Sequence, residues 1–126
     1  MQFDPATARS MTARVLRTPA PRRRSPWMAL LAAVLDLAEG KGELLRHGER
    51  AWASATFTGS RHTLALVFGG EDGVAAANRF IALLPDHEFA IPGQVVADAA
   101  IIAVSEEVLP SPRIEVEVEL LLLDDC

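Results

Sequence analysis

The sequence predicts an α+β fold, a two-layer sandwich of two amphipathic helices on one face of a mainly antiparallel sheet with four or five strands. Three observations support this prediction. Two segments repeat apolar residues every three or four positions, which is typical of amphipathic helices, and other segments alternate apolar and polar residues as strands do. The links between consecutive strands are short, so neighbouring strands are expected to pair antiparallel. The predicted element order is α-β-β-α-β-β-β.

The first predicted helix begins at Ser25-Pro26, where serine is a favourable N-cap and proline fits the first helical turn. Gly40 predicts its end, because glycine readily adopts the left-handed conformation that follows many helices. A single apolar stripe runs along this segment and consists of Trp27, Leu30, Leu31, Val34, Leu35 and Ala38. The next residues, 43–50, fit either a short strand or a helical turn.

A β-hairpin is predicted after residue 50. The alternation of residues 51–58 indicates a strand, and Gly59-Ser60 offers a two-residue turn with glycine first. This turn places Phe57 opposite His62 and Ala51 opposite Phe68, so that small side chains of one strand face large ones of the other.

A second helix, a short strand and a final hairpin complete the predicted fold. Residues 69–73 are expected to form a loop. The helix that follows has its apolar stripe from Val74 to Leu84 and ends at Pro85. The remaining predicted strands are Glu88–Ile91, Val95–Val104 and Arg113–Leu123, the last of which alternates aliphatic residues with glutamates.

The chain of 126 residues and 13.6 kDa is half apolar, with a mean hydropathy of +0.20, and has room for one domain. We expect residues 25–126 to form this single α+β domain. Residues 1–25 contain six arginines and one acid, whereas the rest of the chain is acidic and brings the net charge to -5. Because residues 1–24 have few large apolar side chains, they are predicted to form a disordered basic tail.

The basic tail is expected to be an extension without a function of its own. The alternatives are binding of nucleic acid or anionic lipid through Arg22, Arg23 and Arg24, a targeting role, and folding back onto the acidic domain. Nucleic acid is disfavoured as a partner. Three adjacent arginines without interleaved aromatic residues, in a chain without tyrosine, provide no platform for base stacking.

Cysteine content and hydropathy predict a cytoplasmic protein without a membrane span. One cysteine, Cys126, excludes an internal disulfide, and no apolar run reaches the roughly 18–20 residues that a membrane-spanning helix needs. Lys41 is the single lysine among twelve cations, and alanine is abundant, a bias that suggests a GC-rich bacterial genome.

Three titratable residues are the first candidates for a catalytic or binding site: His62, Asp98 and His87. His62 lies near one end of the predicted hairpin, Asp98 is the acid in an otherwise apolar or small strand, and His87 has acidic neighbours. Each also has a structural explanation. His62 fits a histidine at the sheet edge with a hydrogen bond to backbone, and Asp98 fits a position on the sheet surface or at a dimer edge. His87 and its acidic neighbours do not converge on a strand, because adjacent residues point to opposite faces. His47 is expected to be structural.

Sequence motifs for catalysis and cofactor binding are absent. The chain has no His-Glu-x-x-His spacing, no Gly-x-Ser-x-Gly nucleophile motif and no phosphate-binding Gly-x-x-x-x-Gly-Lys pattern. We therefore expect no metal and no cofactor, and catalysis is disfavoured. Glu115, Glu117 and Glu119 are interpreted as a solvated face of the last strand.

The end of the last strand predicts self-association. Leu121 and Leu123 continue the acidic face with apolar side chains, which a monomer with one open sheet face leaves in water unless another segment covers them. The sequence therefore favours a small non-catalytic interaction or assembly protein that forms a homodimer through this surface. The alternative is a small-molecule-binding or enzymatic domain with a cleft between helices and sheet.

Overall fold

The computed structural model describes residues 26–124, so the predicted basic tail, residues 1–24, lies outside the described residues. Within that range the chain forms two α-helices and a four-stranded antiparallel sheet, and therefore belongs to the α+β class. The elements in chain order are α1 (Pro26–Leu37), β1 (Gly42–Ala53), β2 (Thr58–Gly69), α2 (Gly70–Leu83), a 3₁₀ turn (Leu84–Asp86), β3 (Gln94–Glu107) and β4 (Arg113–Asp124).

The sheet has the strand order β1-β2-β4-β3, and every neighbouring pair is antiparallel. The two central strands, β2 and β4, pair without a register shift. Both edge strands contain bulges, one in β1 between Leu44 and Arg46 and two in β3. The ambiguous residues 43–50 are therefore part of a strand, because they belong to edge strand β1, which pairs with β2.

The predicted turn and register of the first hairpin are wrong. The turn spans residues 54–57, where the Ser54 hydroxyl accepts hydrogen bonds from the backbone N–H groups of Thr56 and Phe57. Gly59 lies inside β2 instead, where a side chain would collide with the backbone carbonyl of Leu122 in β4. Glycine is required here by the close approach of two strands and not by a turn. His62 consequently pairs with Glu49, not with Phe57.

Two further boundaries differ from the sequence prediction. The predicted strand Glu88–Ile91 does not form, because Ile91 makes only an isolated bridge to Gln94 around the Pro92-Gly93 turn. The second helix begins at Gly70, whose positive φ of 80° and hydrogen bond to the Pro112 carbonyl turn the chain directly from β2 into α2. Of the residues predicted to be a loop, Gly69 thus ends β2 and residues 70–73 form the first turn of the helix.

One core joins the helices to the sheet. Phe68 of β2 and Phe80 of α2 pack with ring centroids 5.8 Å apart. The buried residues of this core cluster are Leu30, Val34, Ala38, Leu64, Leu66, Phe68, Ala76, Ala77, Phe80, Leu84, Ile91, Ile114, Val116, Val118, Leu120 and Leu122. We call the side of the sheet that carries the β2 and β4 members of this cluster the core face, and the side that carries the alternate positions the outer face.

The ends of the two helices are joined by an ion pair. Glu39 follows α1 with a positive φ of 61°, and its carboxylate accepts two hydrogen bonds, of 2.6 and 2.8 Å, from the guanidinium of Arg79 in α2. This bidentate contact lowers the pKa of Glu39.

We predict that Phe80→Ala lowers the free energy of unfolding by about 3–5 kcal/mol, because the substitution leaves a cavity against Phe68. Leu83→Ala in the same helix is the matched control, since Leu83 is 52% exposed, and it should change stability by less than about 0.5 kcal/mol. Urea denaturation of both variants measures the difference. Equal effects of the two substitutions would contradict the assignment of the core.

Candidate functional site

A cluster of polar side chains lies on the core face of β1 and β2. Glu49 pairs directly with His62 across the two strands, while His47 and Ser60 lie two residues away on their own strands. His47 and Glu49 reach this face because of the bulge at Leu45, which shifts the alternation of β1 by one residue. We call His47, Glu49, Ser60 and His62 the histidine cluster.

Two hydrogen bonds hold His62 in place. Its Nδ1 lies 2.9 Å from Nε2 of His47, and its Nε2 lies 2.9 Å from the hydroxyl of Ser60. The planes of the two imidazole rings differ by 13°. Each of the two contacts contains one proton, so the tautomer of His62 determines which partner donates in both hydrogen bonds. If His62 donates to Ser60, then His47 donates to His62, and if Ser60 donates, then the direction of both bonds reverses.

Trp27, in the first turn of α1, covers the two histidines. Its ring stacks on that of His47 with centroids 3.5 Å apart and planes 10° apart, and lies 5.8 Å from that of His62. His62 is 1% exposed, whereas His47 is partly exposed. The indole therefore fixes the ring of His47 and separates the hydrogen bond between the histidines from solvent on one side.

Burial favours the neutral form of both histidines. Burial lowers the pKa of His62, because an imidazolium loses its hydration there. Burial also lowers the pKa of His47, which the positive charge of a protonated His62 lowers further, while Glu49 acts in the opposite direction. Neutral imidazoles keep one lone pair each for accepting a hydrogen bond or for binding a metal.

A cavity of about 440 Å³ opens next to the cluster. Its lining includes Trp27, Glu49, Ser60, His62, Gln94 and Asp124. Asp124 accepts hydrogen bonds from the hydroxyl of Thr58 and the side-chain amide of Gln94, and these bonds lower its pKa. The cavity is thus lined by one histidine and by the carboxylates of Glu49 and Asp124.

Only one of the three site residues predicted from the sequence lies in the histidine cluster. His62 is in the cluster. Asp98 is exposed on the outer face, where it pairs with Leu121, because a bulge in β3 between Val96 and Asp98 shifts the alternation there. His87 is exposed and meets Phe89 edge-on with ring centroids 4.5 Å apart. The structure therefore does not bring His62 together with Asp98 or His87.

Sequence reasoning missed Trp27, His47, Glu49 and Ser60 as members of a site. The signal for three of them, all but Trp27, is the two-residue spacing of His47 and Glu49, and of Ser60 and His62, which puts each pair on one face of its strand. The two pairs meet only in the observed register, which depends on the turn at residues 54–57.

The outer face carries most of the charged residues of the sheet. Arg46 reaches across β2 to Glu115 at 3.0 Å, and Arg61 contacts Glu119 at 3.4 Å. The expectation that a monomer leaves both end leucines in water is wrong for Leu121, which is only 9% exposed within the single chain, whereas Leu123 is partly exposed. Their role in an interface stays a prediction.

The fold and site define an α+β protein with an antiparallel sheet and a histidine cluster on its core face. No protein-family model, curated protein or solved structure matches this chain. Neither helix between residues 26 and 124 has the length and apolar character that crossing a membrane requires.

We predict that stability falls as the pH falls below about 6.5, the ordinary pKa of histidine. Since the pKa values of His47 and His62 are lowered by folding, the unfolded chain binds protons in this range that the folded chain excludes. Their contribution is complete above the unfolded pKa and is lost as the pH approaches the folded values. The slope is up to about 1.4 kcal/mol per pH unit for each histidine.

Urea denaturation at a series of pH values measures this slope. His47→Gln should flatten the stability curve below pH 6.5, and His87→Gln, which changes an exposed histidine outside the cluster, is the matched control. A slope that His47→Gln leaves unchanged would show that the cluster does not cause the pH dependence.

Proposed function

We propose that the protein is a small interaction or assembly protein that self-associates as a homodimer through the outer face of its sheet. In this proposal both helices cover the core face, as in a two-layer sandwich, and the second copy covers the outer face. The observation that carries it is the distribution of charge on the outer face, which is complementary to itself under a two-fold rotation.

The two halves of the outer face differ in charge. The half formed by β1 and β2 carries arginines, with Glu43 as an exception at its far end, and the half formed by β4 and β3 carries acids, with Arg113 as an exception at the same end. The arginines are Arg46, Arg50 and Arg61, and the acids are Asp98, Glu107, Glu115, Glu117 and Glu119, of which Glu107 forms an ion pair with Arg113. A two-fold axis between the copies, parallel to the strands and between β2 and β4, places each basic half over an acidic half.

One pair of charges fits this arrangement closely. Arg50, Arg61, Leu121 and Asp98 form one row across the four strands. Among residues 26–124, neither Arg50 nor Asp98 forms an ion pair within the chain. The proposed axis places Arg50 over Asp98 of the second copy, and the symmetry makes this contact twice.

The size of the outer face is that of an ordinary dimer interface. Four strands about 4.8 Å apart and about twelve residues long, with a rise of about 3.3 Å per residue, cover about 760 Å². A stable interface buries about 800 Å² on each partner. The face of this small sheet is therefore large enough only if nearly all of it is covered.

The end of the outer face supplies an apolar contact. Trp52, Gly59, Leu123 and Val95 form the last row across the strands, and Val95 is 49% exposed. The proposed axis brings Trp52 over Val95 of the second copy. Leu123 also lines a cavity of about 640 Å³ together with Phe57, which is 52% exposed. Burial of these apolar side chains favours association.

We predict that Asp98→Arg weakens the dimer roughly tenfold, because it places two arginines opposite each other at two symmetric contacts. The double variant Arg50→Asp/Asp98→Arg should restore the affinity, since it exchanges the two charges. Sedimentation of the full chain over a concentration series measures the dissociation constant. A monomeric wild type, or a double variant as weak as the single one, would contradict the proposed pairing.

A second substitution tests the apolar row. We predict that Val95→Asp dissociates the dimer, because it places a carboxylate against Trp52 of the second copy. Val108→Asp is the matched control, since Val108 is 71% exposed in the connection between β3 and β4 and lies outside the face. Light scattering coupled to size exclusion gives the mass of both variants. Loss of the dimer in both would refute the assignment of the interface to this row.

The alternative function, a small-molecule-binding or enzymatic domain, is favoured by a separate observation. The cavity beside His62 lies between the start of α1 and the sheet, where the alternative expects a cleft. In this case the residues to test are those of the histidine cluster, with Asp98 and His87 left out.

A further inference from the structure

We propose that His47, Glu49 and His62 bind one divalent transition-metal ion in an open three-ligand site on the core face of β1 and β2. Their ligand atoms all lie within 4.8 Å of one another. Two imidazole nitrogens and one carboxylate oxygen are a donor set that suits ions such as Fe²⁺, Co²⁺, Ni²⁺ and Zn²⁺. This inference does not depend on self-association through the outer face.

The separation of the two histidine nitrogens is that of two ligands bound to the same metal ion. Nε2 of His47 and Nδ1 of His62 are 2.9 Å apart. Two nitrogens about 2.05 Å from one ion are about 2.9 Å apart when they subtend about 90°, the angle of octahedral coordination, and about 3.3 Å apart in a tetrahedron. The observed distance thus matches two ligands of one octahedral ion, and each ring has to turn so that its lone pair points to the ion instead of to the other ring.

The proton between the histidines does not prevent binding. When His62 donates a hydrogen bond from Nε2 to Ser60, its Nδ1 carries a lone pair. This lone pair accepts a hydrogen bond from Nε2 of His47. A change of His47 to the tautomer protonated at Nδ1 frees its Nε2 as well. Both rings stay neutral in this step, and the ion replaces the hydrogen bond between them.

The surroundings already hold the two imidazoles as metal ligands are usually held. A histidine ligand typically donates its second N–H to a fixed acceptor, and the hydroxyl of Ser60, 2.9 Å from Nε2 of His62, is placed to accept it. The stacked indole of Trp27 fixes the ring of His47 at a centroid distance of 3.5 Å. Less side-chain motion is therefore lost when the ion binds.

Glu49 completes the set from the exposed side. It is paired with His62 in the register of the two strands, and among residues 26–124 it forms no ion pair. Because its side chain is exposed, it can swing toward the ion without breaking a contact in the core. The cavity of about 440 Å³ beyond it leaves room for water at the remaining coordination positions. An open position of this kind is typical of catalytic metal sites.

The test uses the untagged full chain with Cys126→Ser, which removes a thiol ligand, and Co²⁺ and Zn²⁺ as probes. We expect about one Co²⁺ per chain with visible ligand-field absorption, and Zn²⁺ to displace it in calorimetry. Glu49→Gln should weaken Zn²⁺ binding at least about tenfold, and Ser60→Ala by about 10- to 100-fold. The matched pair is His47→Gln, which should abolish binding, and His87→Gln, which should not change it.

Thermal unfolding with and without Zn²⁺ separates loss of the site from loss of the fold. A bound ion raises the unfolding temperature of the wild type, and this rise should be absent in Glu49→Gln. Because the side chain of Glu49 is exposed, this substitution should leave the fold intact. The proposal is overturned if neither ion binds to the wild type. It is also overturned if binding is the same in Glu49→Gln and His47→Gln as in the wild type.

Discussion

The antiparallel pairing of β2 with β4 is the contact on which the other elements depend. It runs from Gly59 and Leu123 to Gly69 and Arg113 without a shift, so the core face of β4 is apolar from Ile114 to Leu122, while that of β2 is apolar from Leu64 to Phe68 and polar at Ser60 and His62. Each edge strand is attached to only one neighbour and contains bulges. Because a slip of one residue exchanges the faces of a strand, the regular central pair fixes which side is the core and the edge strands determine which polar groups reach it.

The sequence predicts the parts of the fold that have a simple period. The stripes of α1 and α2 and the alternation of β4 locate these elements, because each buries one face against the same core. The turn and register of the first hairpin, and the short strand before Pro92, are predicted wrongly for local reasons, although the hairpin itself is present. Gly59 is glycine because the Leu122 carbonyl approaches it, and a chain read alone does not distinguish this requirement from a turn.

The bulges explain why the candidate site was harder to predict than the fold. Without the bulge at Leu45, His47 and Glu49 would follow Leu44 in simple alternation and point to the outer face. Without the bulge at Ala97, Asp98 would share the core face with Val96. Each bulge thus reverses the face of the titratable residues that follow it, and alternation alone gives no indication of where a bulge occurs.

The same alternation keeps the two proposed surfaces apart although they use consecutive residues. Ser60 and His62 face the core, and Arg61 between them lies on the outer face opposite Arg50 and Leu121. Substitution on the outer face therefore leaves the hydrogen bonds of His62 intact, and substitution of Glu49 leaves the outer row intact. In a protein that self-associates through the outer face, the second copy thus does not cover the cavity that opens beside the histidine cluster.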